Sequence, residues 1–94
     1  MPKYLIEREI VNTGRLTKDD LRQVSQILCD VLFVMGTGIQ WVHSYVTDHK
    51  IYCIYLAVNE EQLRHHARKS GLPANRILRI SSIIDPATGE NREI

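Results

Sequence analysis

Alternation comes first along the chain. Over Lys3–Ile10, Tyr4, Ile6 and Ile10 fall on one side and Leu5, Glu7 and Glu9 on the other, the period of a strand. Asn12-Thr13-Gly14 breaks the run. From Thr17 the period changes. Thr17 followed by Asp20 is a capping-box-like start, and Leu21, Val24, Leu28, Val31, Leu32 and Met35 recur as one helical stripe. Gly36 and Gly38 end it. Two further runs, Ile39–Thr47 and Lys50–Val58, flank Asp48-His49 and predict a hairpin. Asn59 with Gln62 opens a second helix, for which Gly71 suits a left-handed C-terminal cap, and Pro73 lies just beyond. A last strand is expected over Ile77–Ile84, and the polar, turn-rich segment "PATGENREI" from Pro86 reads as a loose tail.

The order is β-α-β-β-α-β, the split βαβ pattern of a ferredoxin-like α+β sandwich. It predicts a four-stranded antiparallel sheet with both helices on one face. Ninety-four residues allow one domain, placed at residues 1–85 with a tail at 86–94. The face without helices is bare in a monomer. Both sides of the hairpin are largely apolar or aromatic, so that face is expected to meet a second copy, giving a homodimeric α+β barrel.

With Asp48-His49 as the turn, Val42 is expected opposite Tyr55, Ser44 opposite Cys53, and Val46 opposite Ile51. On the other face His43 opposes Ile54, Tyr45 opposes Tyr52, and Trp41 opposes Leu56. Small residues let helices approach a sheet closely, so the first set is assigned to the helix side, with His66 pointing in from the second helix. Trp41, His43, Tyr45 and Tyr52 are then assigned to the dimer side, where aromatics with polar tips suit an interface.

Charge narrows the classes. The formal net charge is +1, with Lys and Arg scattered rather than interleaved with aromatics, which argues against a nucleic-acid surface. No signal-peptide pattern is visible, and no apolar run approaches the roughly 20 residues that span a bilayer. A cytoplasmic protein is expected, without membrane partners, in which Cys29 and Cys53 stay thiols.

Imidazole, carboxylate and thiolate are the donors that bind nickel, zinc and similar divalent metals. His43, Glu7 and Glu9 converge if the strands pair as expected, particularly when a dimer doubles the set, and Cys53 and His66 are further candidate donors. The commoner roles are an interface residue for His43, a core histidine for His66 and a small apolar filler for Cys53. An alternative is a barrel that binds or transforms a small organic ligand, with Trp41, Tyr45 and Tyr52 against it and His43 as a general base. The chain lacks G-x-G-x-x-G, a P-loop lysine and G-x-S-x-G, so catalysis is the weaker reading. A third class is a plain interaction module with a dry, filled sheet interface.

"KYLIERE", "IQWVHSYVTDHKIYCIYLA" and "LRHHARKSGLPANRI" resemble a family of small bacterial proteins catalogued as a domain of unknown function, which includes a nickel-binding, nickel-responsive member. The likeness covers Lys3 to Asp85. It matches at Trp41, His43, Ser44, Tyr45, Cys53, Tyr55 and His66, whereas His49 and His65 depart from positions commonly acidic in relatives. The resemblance implies a ferredoxin-like fold, a homodimer and Ni²⁺ binding, in a sequestering or sensing role.

Overall fold

The computed structural model describes residues 1–90. Its elements run β1 (Lys3–Glu9), α1 (Lys18–Met35), β2 (Ile39–Val46), β3 (Lys50–Ala57), α2 (Glu60–Ser70) and β4 (Arg76–Ile80), with 3₁₀ turns at Thr13–Arg15 and Pro86–Gly89. The strands form one antiparallel sheet in the order β2-β3-β1-β4, and α1 and α2 cover one face. This is the ferredoxin-like α+β sandwich.

Local chemistry fixes the helix ends. Thr17 Oγ1 accepts from the Asp20 amide at 3.1 Å while Asp20 Oδ2 accepts from the Thr17 amide at 3.0 Å, closing a full capping box. Asn59 Oδ1 accepts from the Gln62 amide at 3.1 Å at the start of α2. Gly71 ends α2 with φ at 74°, in the left-handed region where a side chain is strained.

The core lies between sheet and helices. Tyr4 and Ile6 of β1, Ile39 of β2, and Ile51, Cys53, Tyr55 and Ala57 of β3 pack with Leu63 of α2. Leu28 is the buried residue of the α1 stripe. Arg8 belongs to the same alternating series as Tyr4 and Ile6 and is fully buried with them. Its Nη1 donates to the Pro73 carbonyl at 2.8 Å and, at the longer distance of 3.4 Å, to that of Leu72; Nη2 reaches Tyr55 Oη at 3.5 Å. A guanidinium thus ties the loop after α2 to the middle of the sheet.

The hairpin register matches the expected one from the turn as far as His43. Val46 opposes Ile51, Tyr45 opposes Tyr52, Ser44 opposes Cys53 and His43 opposes Ile54. Beyond that point a β-bulge at Val42 shifts it, so that Trp41 opposes Tyr55 and Gln40 opposes Leu56. The expected pairs Val42–Tyr55 and Trp41–Leu56 are therefore corrected. The extra residue turns Trp41 to the helix side, where it packs on the core and its Nε1 donates to Ser44 Oγ at 2.9 Å. Val42 is left partly exposed on the edge strand.

At the C-terminus, β4 stops at Ile80 rather than Ile84, because its last rung is with Lys3, where β1 begins. The described part of the tail is not shapeless: Asp85 caps the Pro86–Gly89 turn, its Oδ1 accepting from the Thr88 amide at 3.1 Å. The end of the tail, residues 91–94, lies outside the described residues. Among those described, no helix is long and apolar enough to cross a membrane.

Candidate functional site

Pairing across all four strands sorts the uncovered face into rows. His43, Ile54, Leu5 and Leu78 make one row, and Tyr45, Tyr52, Glu7 and Arg76 the next. Glu9 stands opposite Lys50 one rung further on. Leu5, Tyr52, Ile54 and Leu56 are half-buried on the face opposite the helices, while Tyr45 is 59% exposed. An apolar sheet face with polar groups at one margin is what remains.

His43 and Tyr45, two residues apart on β2, point the same way because a strand repeats every second residue. His43 Nε2 and Tyr45 Oη lie 3.0 Å apart, with the rings edge to face at 5.0 Å. The phenol thus fixes the orientation of an exposed imidazole. Glu7 is held differently. Lys50 Nζ donates to its Oε1 at 3.0 Å and stands 3.8 Å from Glu9 Oε1. The Lys50 bond, aided by the Lys50 and Arg76 charges and by Tyr52, holds the Glu7 carboxyl below its usual pKa against partial burial. Glu7 in turn raises Lys50. The pairing of Lys50 with Glu7 is a feature that hairpin periodicity alone does not reveal, since it depends on the β1–β3 register.

The remaining candidate donors lie on the other side of the sheet. Cys53 is fully buried opposite Ser44. His66 is fully buried on α2; its Nε2 donates to the Leu28 carbonyl at 3.2 Å, and its ring lies 5.4 Å from that of Tyr55. Burial, with the Arg8 charge, lowers its pKa despite the Leu28 bond and so favours the neutral ring. Burial likewise pushes the Tyr55 hydroxyl up to about 12. Cys53, Tyr55 and His66 are core groups.

The five expected metal donors are therefore split: His43, Glu7 and Glu9 on the open face, Cys53 and His66 beneath the helices. Even on the open face, His43 and Glu7 sit on strands with β3 between them. That places their backbones about 10 Å apart laterally, across Tyr52 and Ile54. Among the described residues no group of three or more His, Cys, Asp or Glu side chains stands close enough to hold a metal ion. Trp41 is removed from the expected ligand-facing set by the bulge, while Tyr45 and Tyr52 remain in it. Arg8 is not among the expected site residues, although its place in the Tyr4–Ile6 alternation marks it as inward-facing. His49 and His65 are exposed and join neither group.

Fold and face together define a small ferredoxin-like domain with an uncovered apolar sheet and imidazole, phenol and carboxylate groups on it. The chain belongs to the SCO4226-like family, described as nickel-responsive proteins, whose model matches residues 4–80. Among solved structures it resembles SCO4226 from Streptomyces coelicolor A3(2), with a TM-score of 0.74 at 15% identity, over 87% of this chain and 99% of that one. At that identity the likeness carries the fold. No curated protein matches the chain.

Proposed function

We infer that the protein is a nickel-binding homodimer, joined open face to open face, that sequesters or senses the metal. The observation that carries the reading is the exposed His43 imidazole, oriented by Tyr45 on an otherwise uncovered apolar sheet. Membership of a nickel-responsive family supports it. The donor chemistry fits in kind, since imidazole and carboxylate both bind borderline metals. It does not fit in number within one protomer, so the site needs donors from a second copy. His43 is the anchoring donor, and Glu9, whose carboxylate is the more exposed of the pair, is the accessible acid. Glu7 joins only by releasing Lys50. Neutral imidazole supplies the donor lone pair.

The test is calorimetric titration of untagged protein with Ni²⁺. Saturable binding that is lost in His43→Ala is expected. No saturable binding, or binding untouched by that change, refutes the site. The aromatic row of Tyr45 and Tyr52 beside Glu7 favours a second reading, a small organic ligand held between the sheets. That reading expects a retained ligand in native mass spectra that chelators do not remove.

A further inference from the structure

His65 belongs neither to the open face nor to the core, and its neighbours all carry metal-donor atoms. It lies on α2 with Glu61 four residues before it and Gln62 three before it. Those spacings put the side chains about 5–6 Å apart at Cβ on one side of the helix. Met35, the last residue of α1, meets them from the neighbouring helix, and the four line a single cleft of about 240 Å³. The cleft belongs to the helix layer, on the side of the sheet away from His43.

Two of the donors are held by packing and two are accessible. Met35 is half-buried against the core. Gln62 is also half-buried; a Cβ added at Gly38 would lie 3.9 Å from its Cδ and Oε1, so its amide rests on the loop between α1 and β2. Glu61 and His65 are exposed. Arg68 Nη2 donates to Glu61 Oε1 at 2.8 Å, occupying one of the two carboxylate oxygens. The side chains of that pair are 60% and 69% exposed, and a surface ion pair of this kind opens readily. Only Glu61 and His65 are of the His, Cys, Asp and Glu types, so the lack of a three-member cluster of those types does not bear on the cleft. A thioether and an amide carbonyl supply the rest.

Imidazole beside a thioether is a soft pairing that suits copper, whereas magnesium and calcium take oxygen donors. Copper(II) also stands highest among the first-row divalent ions for a given set of donors. We propose that Met35, Glu61 and His65, with Gln62 beside them, form a copper site on the helix layer. It is separate from the open face and does not rest on the nickel reading.

Calorimetric titration with Cu²⁺ tests it on the untagged full chain carrying Cys29→Ser, His43→Ala and His49→Ala. All three side chains are exposed, and removing them leaves His65 as the accessible imidazole and no exposed thiol to bind or reduce the probe. One Cu²⁺ per chain is expected. Its dissociation constant should rise roughly tenfold or more when His65→Ala is added, and severalfold with Met35→Leu or Glu61→Gln. Met35→Leu keeps the packing volume and removes the sulfur, and circular dichroism checks that each variant is folded. No saturable binding, or binding that survives His65→Ala, overturns the site. An unchanged constant in either Met35→Leu or Glu61→Gln overturns the convergent donor set. Because His43 is absent throughout, each of these results leaves the open-face reading to its own test.

Discussion

Replacing Arg8 tests whether a buried charge or its hydrocarbon stem holds the end of α2 against the sheet. The side chain is fully buried, without a carboxylate partner among its hydrogen bonds, and its good contact is Nη1 to the Pro73 carbonyl at 2.8 Å. The bonds to Leu72 and Tyr55 are long, at 3.4 and 3.5 Å. A hydrogen bond from a charged donor is worth about 1.5–3 kcal/mol, and the buried stem contributes a further 1 kcal/mol or so. Against these stands the desolvation of a guanidinium whose Nε finds no partner among the described residues, a cost of several kcal/mol after relaxation. Arg8→Ala removes bonds, stem and charge together and leaves a cavity, so a net loss of about 2–3 kcal/mol is expected. Arg8→Met keeps the stem and abolishes the desolvation cost, so it stays within about 1 kcal/mol of wild type.

Urea unfolding at pH 7 and one fixed protein concentration reads both variants, the fixed concentration removing any effect of dimer mass action. With an m-value of about 1–1.5 kcal/mol per molar urea for a chain this small, Arg8→Ala lowers the midpoint by roughly 2 M. Hydrogen exchange adds a local readout: the Asn75 amide, bonded to the Glu7 carbonyl at 2.9 Å, loses protection first. An Arg8→Ala midpoint within about 0.5 M of wild type refutes the claim that this side chain anchors the loop. If Arg8→Met proves as damaging as Arg8→Ala, the hydrogen bonds outweigh desolvation and the ordering of terms above is wrong.

Two other perturbations have defined signs. His66 has a lowered folded-state pKa, so the unfolded chain takes up its proton first. Stability is then full above about pH 6.5 and falls as pH drops toward the folded value, by up to about 1.4 kcal/mol per pH unit. His66→Gln is expected to flatten that part of the pH–stability curve in chemical denaturation, and an unchanged slope would sink the assignment. At Gly14, an added Cβ would sit 2.7 Å from Asp48 Oδ1 and 3.0 Å from Asp48 Cα, so the hairpin turn must shift. Gly14→Ala should cost about 1–3 kcal/mol in the same assay, and a neutral result would mean that the turn yields freely.

The elements were legible because each is announced by local chemistry. Thr17 and Asp20, Asn59 and Gln62, and Gly71 mark helix ends through bonds made within a few residues, and those bonds are present. Alternation gave both faces of β3. It failed at Trp41 because a bulge is one unpaired residue, and every side chain beyond it changes face. Nothing in "IQWVHSYV" announces that Val42 is the extra residue. β4 is shorter than its sequence predicts for a related reason: a strand's length is set by its neighbour, and Ser81 to Ile84 look like strand to the end. Arg8 is visible by position, but a charged residue on an inward-facing series reads as an exception to the pattern. The partition of the candidate donors was half legible. Parity separates His43 from Cys53, whereas the separation of His43 from Glu7 depends on β3 lying between their strands, which is topology.

That partition assigns different chemistry to the two sides of one sheet. Beneath the helices, Cys53, His66, Tyr55 and Arg8 are immobilised by burial, and their contacts end at carbonyls and one another. A donor there reaches a metal only by opening the core. On the open face the donors are accessible but spaced by intervening strands, and the best-placed carboxylate is already paired with Lys50. A metal arriving at Glu7 must therefore displace an ammonium, which weakens binding by whatever that ion pair is worth. Glu9 stands farther from Lys50, at 3.8 Å, and His43 shares its Nε2 with the Tyr45 hydroxyl, yet the two come from different strands of a half-finished surface. In the proposed dimer both constraints would be relieved by the same event, the approach of a second open face, which would cover Leu5, Ile54 and Leu56 and double the number of imidazoles available. In this scheme metal affinity and self-association are linked, so each must strengthen the other by the same factor. Ni²⁺ should then tighten the wild-type dimer and leave the His43→Ala dimer unchanged.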